Sequence, residues 1–123
     1  MARAVDPAAA REALSHIVEG ELSSVQFVMD YLILGFEPRG AVTSLIWPEI
    51  VSGETITTFG SPGYRDQLCE LIEQVVRSAG LKAEEMIEIE FANGTLLRIP
   101  LATYDRPGER LIIRGPKHYL FVC

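Results

Sequence analysis

Trp47, Tyr64, Arg65 and Asp66 are the residues whose types and spacing could do chemistry. Trp47 and Tyr64 bracket a polar stretch, residues 48–61, and each carries an apolar body with a polar tip. Glu49 lies beside Trp47 in sequence, and Arg65 and Asp66 follow Tyr64. Long loops are enriched in sites. If the stretch loops back to a helix, these residues would line a ligand-binding pocket. The competing reading makes Trp47 a core residue and Arg65–Asp66 a surface pair.

Other chemistry is sparse. There is no Gly-x-x-x-x-Gly-Lys-Ser/Thr or Gly-x-Gly-x-x-Gly phosphate cradle, and no Gly-x-Ser-x-Gly nucleophile turn. The two histidines, His16 and His118, read as surface residues far from any metal-spaced cluster, so no metal or cofactor is expected. Cys69 and Cys123 are too few for a disulfide framework. Cys69 falls in a helical pattern and reads as a small buried apolar residue; Cys123, as the last residue, has little to hold a nucleophile's geometry. Glu84, Glu85, Glu88 and Glu90 could meet a cation or a basic partner, but read more simply as a solvated strand face on which Arg98 neutralises Glu88. No catalytic set emerges, and whether the protein is an enzyme stays open.

The C-terminal segments offer a different kind of site. Leu111-Ile112-Ile113 and Tyr119-Leu120-Phe121-Val122 are apolar on both faces, whereas a strand buried on one side would alternate. This hairpin is therefore covered on both sides, or its outer face meets another subunit. Ile112, Tyr119 and Phe121 are the candidate interface of a homodimer, and Phe121→Asp would then give a folded monomer.

These residues sit in a chain of 123 residues, one domain long, with 48% apolar residues and a net charge of −6. No apolar run is long enough to span a membrane. The N-terminal Met-Ala-Arg-Ala-Val-Asp-Pro lacks the apolar stretch of a secretion signal, which points to the cytoplasm. The basic residues are scattered and the acids outnumber them, which disfavours a nucleic-acid partner.

Several elements can be read directly. Asp6 as cap and Pro7 as first residue predict a helix over residues 7–19, with Ala10, Ala13, Leu14, Ile17 and Val18 on its apolar face and Gly20 as its stop. Residues 25–28 and 31–34 read as strands, with Asp30 marking a turn between them or a bend in one long strand. Pro38-Arg39-Gly40 is a turn, and residues 41–47 return as a strand. Residues 48–61 read as a long loop with a short strand near residues 55–59. Ser61-Pro62 predicts a second helix, with Leu68, Leu71, Ile72, Val75, Val76 and Ala79 as its apolar face and Gly80 as its end. Residues 85–101 form a hairpin. Keeping one face apolar requires a three-residue loop, Ala92-Asn93-Gly94, pairing Ile89 with Leu97, Ile87 with Ile99 and Glu88 with Arg98. A last hairpin turns at Gly115-Pro116.

A pattern recurs in this series. Arg11-Glu12-x-Leu14-x-x-Ile17-Val18-Glu19 returns 54 residues later as Arg65-Asp66-x-Leu68-x-x-Leu71-Ile72-Glu73. Leu32-x-Leu34-x-Phe36 returns 55 residues later as Ile87-x-Ile89-x-Phe91. The expected architecture is α+β: two helices on one face of a mostly antiparallel sheet, with a helix–hairpin unit used twice, over residues 7–47 and 62–122.

Val25-Gln26-Phe27-Val28-Met29-Asp30-Tyr31, Trp47-Pro48 and Pro62-Gly63-Tyr64-Arg65-Asp66-Gln67-Leu68-Cys69-Glu70-Leu71-Ile72 together resemble a family of small bacterial proteins, over residues 20–101. In that family a glycine commonly follows the Leu-Ile pair, where this chain has Glu73. The resemblance implies a bacterial source, in keeping with a mobile integron cassette or an environmental gene, and it carries over no activity or site. The expected function is a small binding module acting as a homo-oligomer or with a protein partner; the alternative is a small-molecule-binding protein or enzyme with its pocket near residues 47–66.

Overall fold

The computed structural model describes residues 5–103 and 108–123, with no account of the Thr103 side chain. Helix α1 (Pro7–Ser15) opens as expected: the Asp6 carboxylate accepts from the N–H groups of Ala8 and Ala9, and Pro7 takes the first turn. A three-stranded meander follows, β1 (Ser24–Val28), β2 (Tyr31–Gly35) and β3 (Ala41–Ser44), with Met29 and Asp30 as the turn between β1 and β2. The chain then forms the hairpin β4 (Glu49–Ser52) and β5 (Thr55–Thr57). The second half repeats this order: α2 (Tyr64–Cys69), a meander of β6 (Val76–Lys82), β7 (Met86–Phe91) and β8 (Leu96–Pro100), and the hairpin β9 (Leu111–Arg114) and β10 (Leu120–Val122). The fold is α+β and mostly sheet.

The strands divide into two antiparallel sheets where one was expected, and the hairpins are exchanged between them. The first sheet runs β1-β2-β3-β9-β10 and the second β6-β7-β8-β4-β5. Each meander is thus extended by the hairpin that follows the other meander. The inward residues of both sheets, with Ala10, Ala13, Leu14, Ile17, Leu68 and Leu71 from the helical segments, belong to one core cluster. Helix α1 contacts β6 of the second sheet and β9 and β10 of the first; α2 contacts β1 and β4, so each helix spans both sheets.

Hydrogen bonds give this arrangement a pseudo-twofold axis. It passes through the bridge between Glu21 and Val75, two residues 54 apart. The Glu19 N–H donates to the Val76 carbonyl and the Glu73 N–H to the Leu22 carbonyl, both at 2.8 Å. Leu22 N–H donates to Gln74 and Val76 N–H to Gly20, both at 2.9 Å. Each bond is the other's counterpart at the spacing of the sequence repeat. The change from 54 to 55 comes from the β6–β7 turn, three residues (83–85) against two (29–30) between β1 and β2. The next turns match again: Phe36 N–H donates to Gly40 and Phe91 N–H to Thr95.

Both helices are shorter than their periodicity predicts. Beyond α1 and α2 the chain winds on in three-residue turns, Gly20 N–H to Ile17 and Gln74 N–H to Leu71, and each segment ends at a glutamate of positive φ, Glu19 at 70° and Glu73 at 82°. A glycine after the Leu-Ile pair would meet that φ without the Cβ clash. Val75, Val76 and Ala79 are therefore not a helix face: Val76 and Ala79 lie in β6 and Val75 in the bridge before it. Helix α2 also starts later than Ser61-Pro62 suggests, with Gly63 at φ 82° as a cap that has no side-chain acceptor. Residues 48–61 are no simple loop, since β4 pairs with β8 through Glu49↔Arg98 and Ile50↔Leu97. The residue 85–101 hairpin has the predicted register, with Ile89↔Leu97, Ile87↔Ile99, Glu88↔Arg98 and Gly94 at φ 91°.

Candidate functional site

The first candidate is the cluster around Trp47. Strand β1 supplies Phe27, the connection between β3 and β4 supplies Trp47, the segment after β5 supplies Phe59, and α2 supplies Tyr64 and Arg65. Trp47 stacks on Phe59 with centroids 4.3 Å apart and planes at 16°, and Phe27 lies parallel to its ring at 6.5 Å. Phe59 meets Tyr64 edge-on at 5.8 Å. The Arg65 guanidinium lies 5.1 Å from the Phe27 centroid and 6.0 Å from that of Phe59, within cation–π range. This joins α2 to β1.

The cluster is mostly self-satisfied. Tyr64 is buried, its hydroxyl donates to the Pro48 carbonyl at 2.5 Å, and burial pushes its phenol well above the ordinary value. The adjoining hollow of about 220 Å³ is lined by Phe59, Tyr64, Arg65 and Asp66 among others, while Trp47 stands behind Phe59 and does not line it. The expected pocket residues are thus brought together except for Trp47, and Tyr64 offers the hollow no free hydroxyl. Phe27 and Phe59 were missed; they stand 20 and 12 residues from Trp47, a spacing that carries no helical or strand signal.

The second candidate is the outer face of the first sheet. Residues paired across an antiparallel ladder share a face. The pairings place Gln26, Ile33, Thr43, Ile112 and Val122 in one outward row across all five strands. Beside it, Tyr31, Ala41, Leu45 and Arg114 join Ile33, Thr43 and Ile112 in a broad hollow of about 410 Å³. Leu120 and Val122, at 54% and 43% exposed, continue the apolar surface to the edge. Arg114 is the single charged residue in this set, and none is acidic.

The same row in the second sheet is Gly80, Glu88, Arg98 and Glu49. The charged Glu88, Arg98 and Glu49 thus occupy the places of Ile33, Thr43 and Ile112. Arg98 pairs with Glu49 at 3.0 Å, and Glu88, its expected partner, forms no ion pair with the described residues. Glu90 is held by Arg77 at 3.5 Å and by Ser78. Among the described residues no group of three or more His, Cys, Asp and Glu side chains could hold a metal ion.

Of the expected interface residues, Ile112 faces outward. Phe121 pairs with the buried Ile113 and packs on the core, and Tyr119 packs against His16 of the α1 segment, centroids 4.2 Å apart and planes tilted by 51°. Phe121→Asp would therefore put a charge against the core, and the outward members of the hairpin are Leu120 and Val122. Cys69, expected to be buried, is exposed, because Leu68 carries the inward face of α2.

No family model, curated protein or solved structure matches the chain. Among the described residues no helix is long and apolar enough to cross a membrane.

Proposed function

We propose that this protein is a cytoplasmic binding module that self-associates through the outer face of its first sheet. The observation that carries the reading is the contrast between equivalent rows. One fold position holds Glu88–Arg98–Glu49 in one sheet and Ile33–Thr43–Ile112 in the other. A solvated sheet face takes charges readily, as the second sheet shows, so a face of five strands whose one charge is Arg114 calls for a cover.

A second copy of the chain suits this face best. The chain carries a net charge of −6, and two copies repel everywhere except where acids are missing. Two such faces packed by a twofold axis meet no like charge beyond Arg114, and a self-complementary patch is the commonest route to a dimer. Size sets the strength. Five strands about 4.8 Å apart, with about four residues each at about 3.4 Å, give roughly 330 Å² of flat face. This is under half the roughly 800 Å² per partner of a standard interface, which places the dimer among the small, transient interfaces.

The test copies the second sheet's row onto the first, as Ile33→Glu, Thr43→Arg and Ile112→Glu together. Opposite charges then stand next to one another on a solvated face, so the variant keeps its fold. Sedimentation velocity from about 1 to about 300 μM should show the unaltered protein moving from monomer to dimer, and the variant monomeric throughout. An unaltered protein that stays monomeric, or a variant that dimerises equally, overturns the reading.

A further inference from the structure

The two halves differ at a second equivalent place. In the first half, the space between the α1 segment, the β2–β3 turn and the β9–β10 hairpin is filled. Tyr119 packs against His16 in a tilted ring contact at 4.2 Å, and its hydroxyl meets the Glu12 carboxylate at 3.4 Å. The backbone closes around them. A Cβ on Gly115 would meet Tyr119 at 3.2 Å and His16 at 3.3 Å, and one on Gly40 would collide with the Arg114 carbonyl.

In the second half the counterparts are Glu70 for His16, Thr55 for Tyr119, Ser52 for Gly115 and Thr95 for Gly40, taken by their places in the repeated pairings. The ring pair is gone. A cleft of about 390 Å³ opens there, between α2, the β4–β5 turn and the β7–β8 turn. Ile50 and Leu71, both buried, form an apolar floor. Its walls are the hydroxyls of Ser52, Thr55 and Thr95, the carboxamides of Gln67 and Asn93, and the carboxylate of Glu70. Asn93 Oδ1 accepts from the Thr95 N–H at 3.0 Å, which turns the Asn93 amide into a fixed donor. The side chains of Ser52, Thr55, Gln67 and Glu70 make no hydrogen bond or ion pair with the described residues.

We propose that this cleft binds a small polyhydroxylated molecule carrying an ammonium group, with Glu70 as its counter-charge. A volume of this order suits one sugar-sized ring. The floor accepts its C–H face, and the hydroxyls and carboxamides, which donate and accept, match its hydroxyls. Glu70 is the single charged lining residue and no Lys, Arg or His is present, so an anionic ligand would be repelled and a cationic one held.

Three hexoses that differ in charge test this: glucosamine, glucose and glucuronate, each titrated into the ¹⁵N-labelled protein and followed by amide shifts. Glucosamine should give saturable shifts at Ser52, Thr55, Asn93 and Thr95, glucose weaker ones and glucuronate none. Glu70→Gln should weaken glucosamine about tenfold, to the level of glucose. The double variant Thr55→Tyr with Glu70→His places the first half's ring pair in the cleft; it should keep the unfolding temperature and lose the shifts. No saturable glucosamine shift, glucuronate binding as well as glucosamine, or shifts that persist in the filled double variant would each overturn the assignment.

Discussion

The inward and outward faces of the two sheets record different pressures. The inward row of the first sheet, Val25, Leu34, Val42, Ile113 and Phe121, answers the second sheet's Ala79, Ile89, Leu97, Ile50 and Thr57 position by position. Apolar residues fill nine of these ten places, because both rows close one core. The outward rows share nothing: a charged ladder stands where the other sheet has Ile33, Thr43 and Ile112. Packing holds the inner pattern in both halves, while the outer surface and the cleft behind α2 are free to diverge. Divergence between equivalent positions is thus where binding is to be sought in this chain.

The largest effect that could break the equivalence comes from the core. Phe36 and Phe91 occupy the same place after β2 and in β7, and neither exposes any surface. Truncating a buried Phe to Ala costs about 3–5 kcal/mol. Phe36→Ala and Phe91→Ala should each lower stability by that amount, in a single transition seen alike by circular dichroism and by Trp47 fluorescence. With exchanged hairpins, neither sheet can form without strands from both halves. Separate transitions, or costs differing by more than about 1.5 kcal/mol, would mean the halves are not one cooperative unit.

Legibility in the sequence followed the distance over which each element is decided. The residue 85–101 hairpin was readable to its register because alternation and one Asn-Gly turn settle it locally. The repeat was readable because the same core constrains both halves. Strand β5 was readable only as a short strand near residues 55–59, and β4 was not readable at all: four residues that begin at Glu49 and end at Ser52 are too polar to announce a strand, and the partner of Glu49 is Arg98, far along the chain. Val75, Val76 and Ala79 fit helical spacing and strand propensity equally, and the tie is broken by the hydrogen bonds of Val76 with Glu19 and Gly20. In the last hairpin, apolar residues on both faces hide which side is inward; the pairing of Phe121 with Ile113 decides it. The cleft draws its walls from three separate segments and left no local signal.

A moderate effect should separate the two helices. The position that buries Ala10 in α1 buries Tyr64 in α2. Tyr64→Phe leaves the ring and removes the bond to Pro48, which should cost about 1 kcal/mol at neutral pH. The pH dependence follows from burial, which raises the phenol above its ordinary value of 10.0 and so favours its neutral form in the fold. That contribution is fully present below the unfolded value, and is lost as pH rises from there toward the folded one. Denaturant titrations at pH 8 and pH 11 should show the unaltered protein losing more stability between them than Tyr64→Phe. Equal losses would show that Tyr64 ionises no later in the fold than in the unfolded chain.

The finest test lies at the pseudo-twofold axis. Glu19 and Glu73 both hold positive φ, both are exposed, and both donate their N–H across the axis. A left-handed conformation costs a residue with a Cβ about 1–2 kcal/mol relative to glycine. Glycine gives back about 0.4–1 kcal/mol through its freer unfolded chain. Glu19→Gly and Glu73→Gly should therefore each stabilise the fold by about 0.5–1 kcal/mol, or roughly 2–4 °C in melting temperature. Val at either place should destabilise, because a β-branched side chain tolerates that φ least. The backbone bonds survive every one of these changes, so the measurement isolates the conformational term. Equal gains at the two sites would show that the junctions match in energy as well as geometry. A gain at Glu73 alone would place the strain in the α2 half, the half that also carries the open cleft.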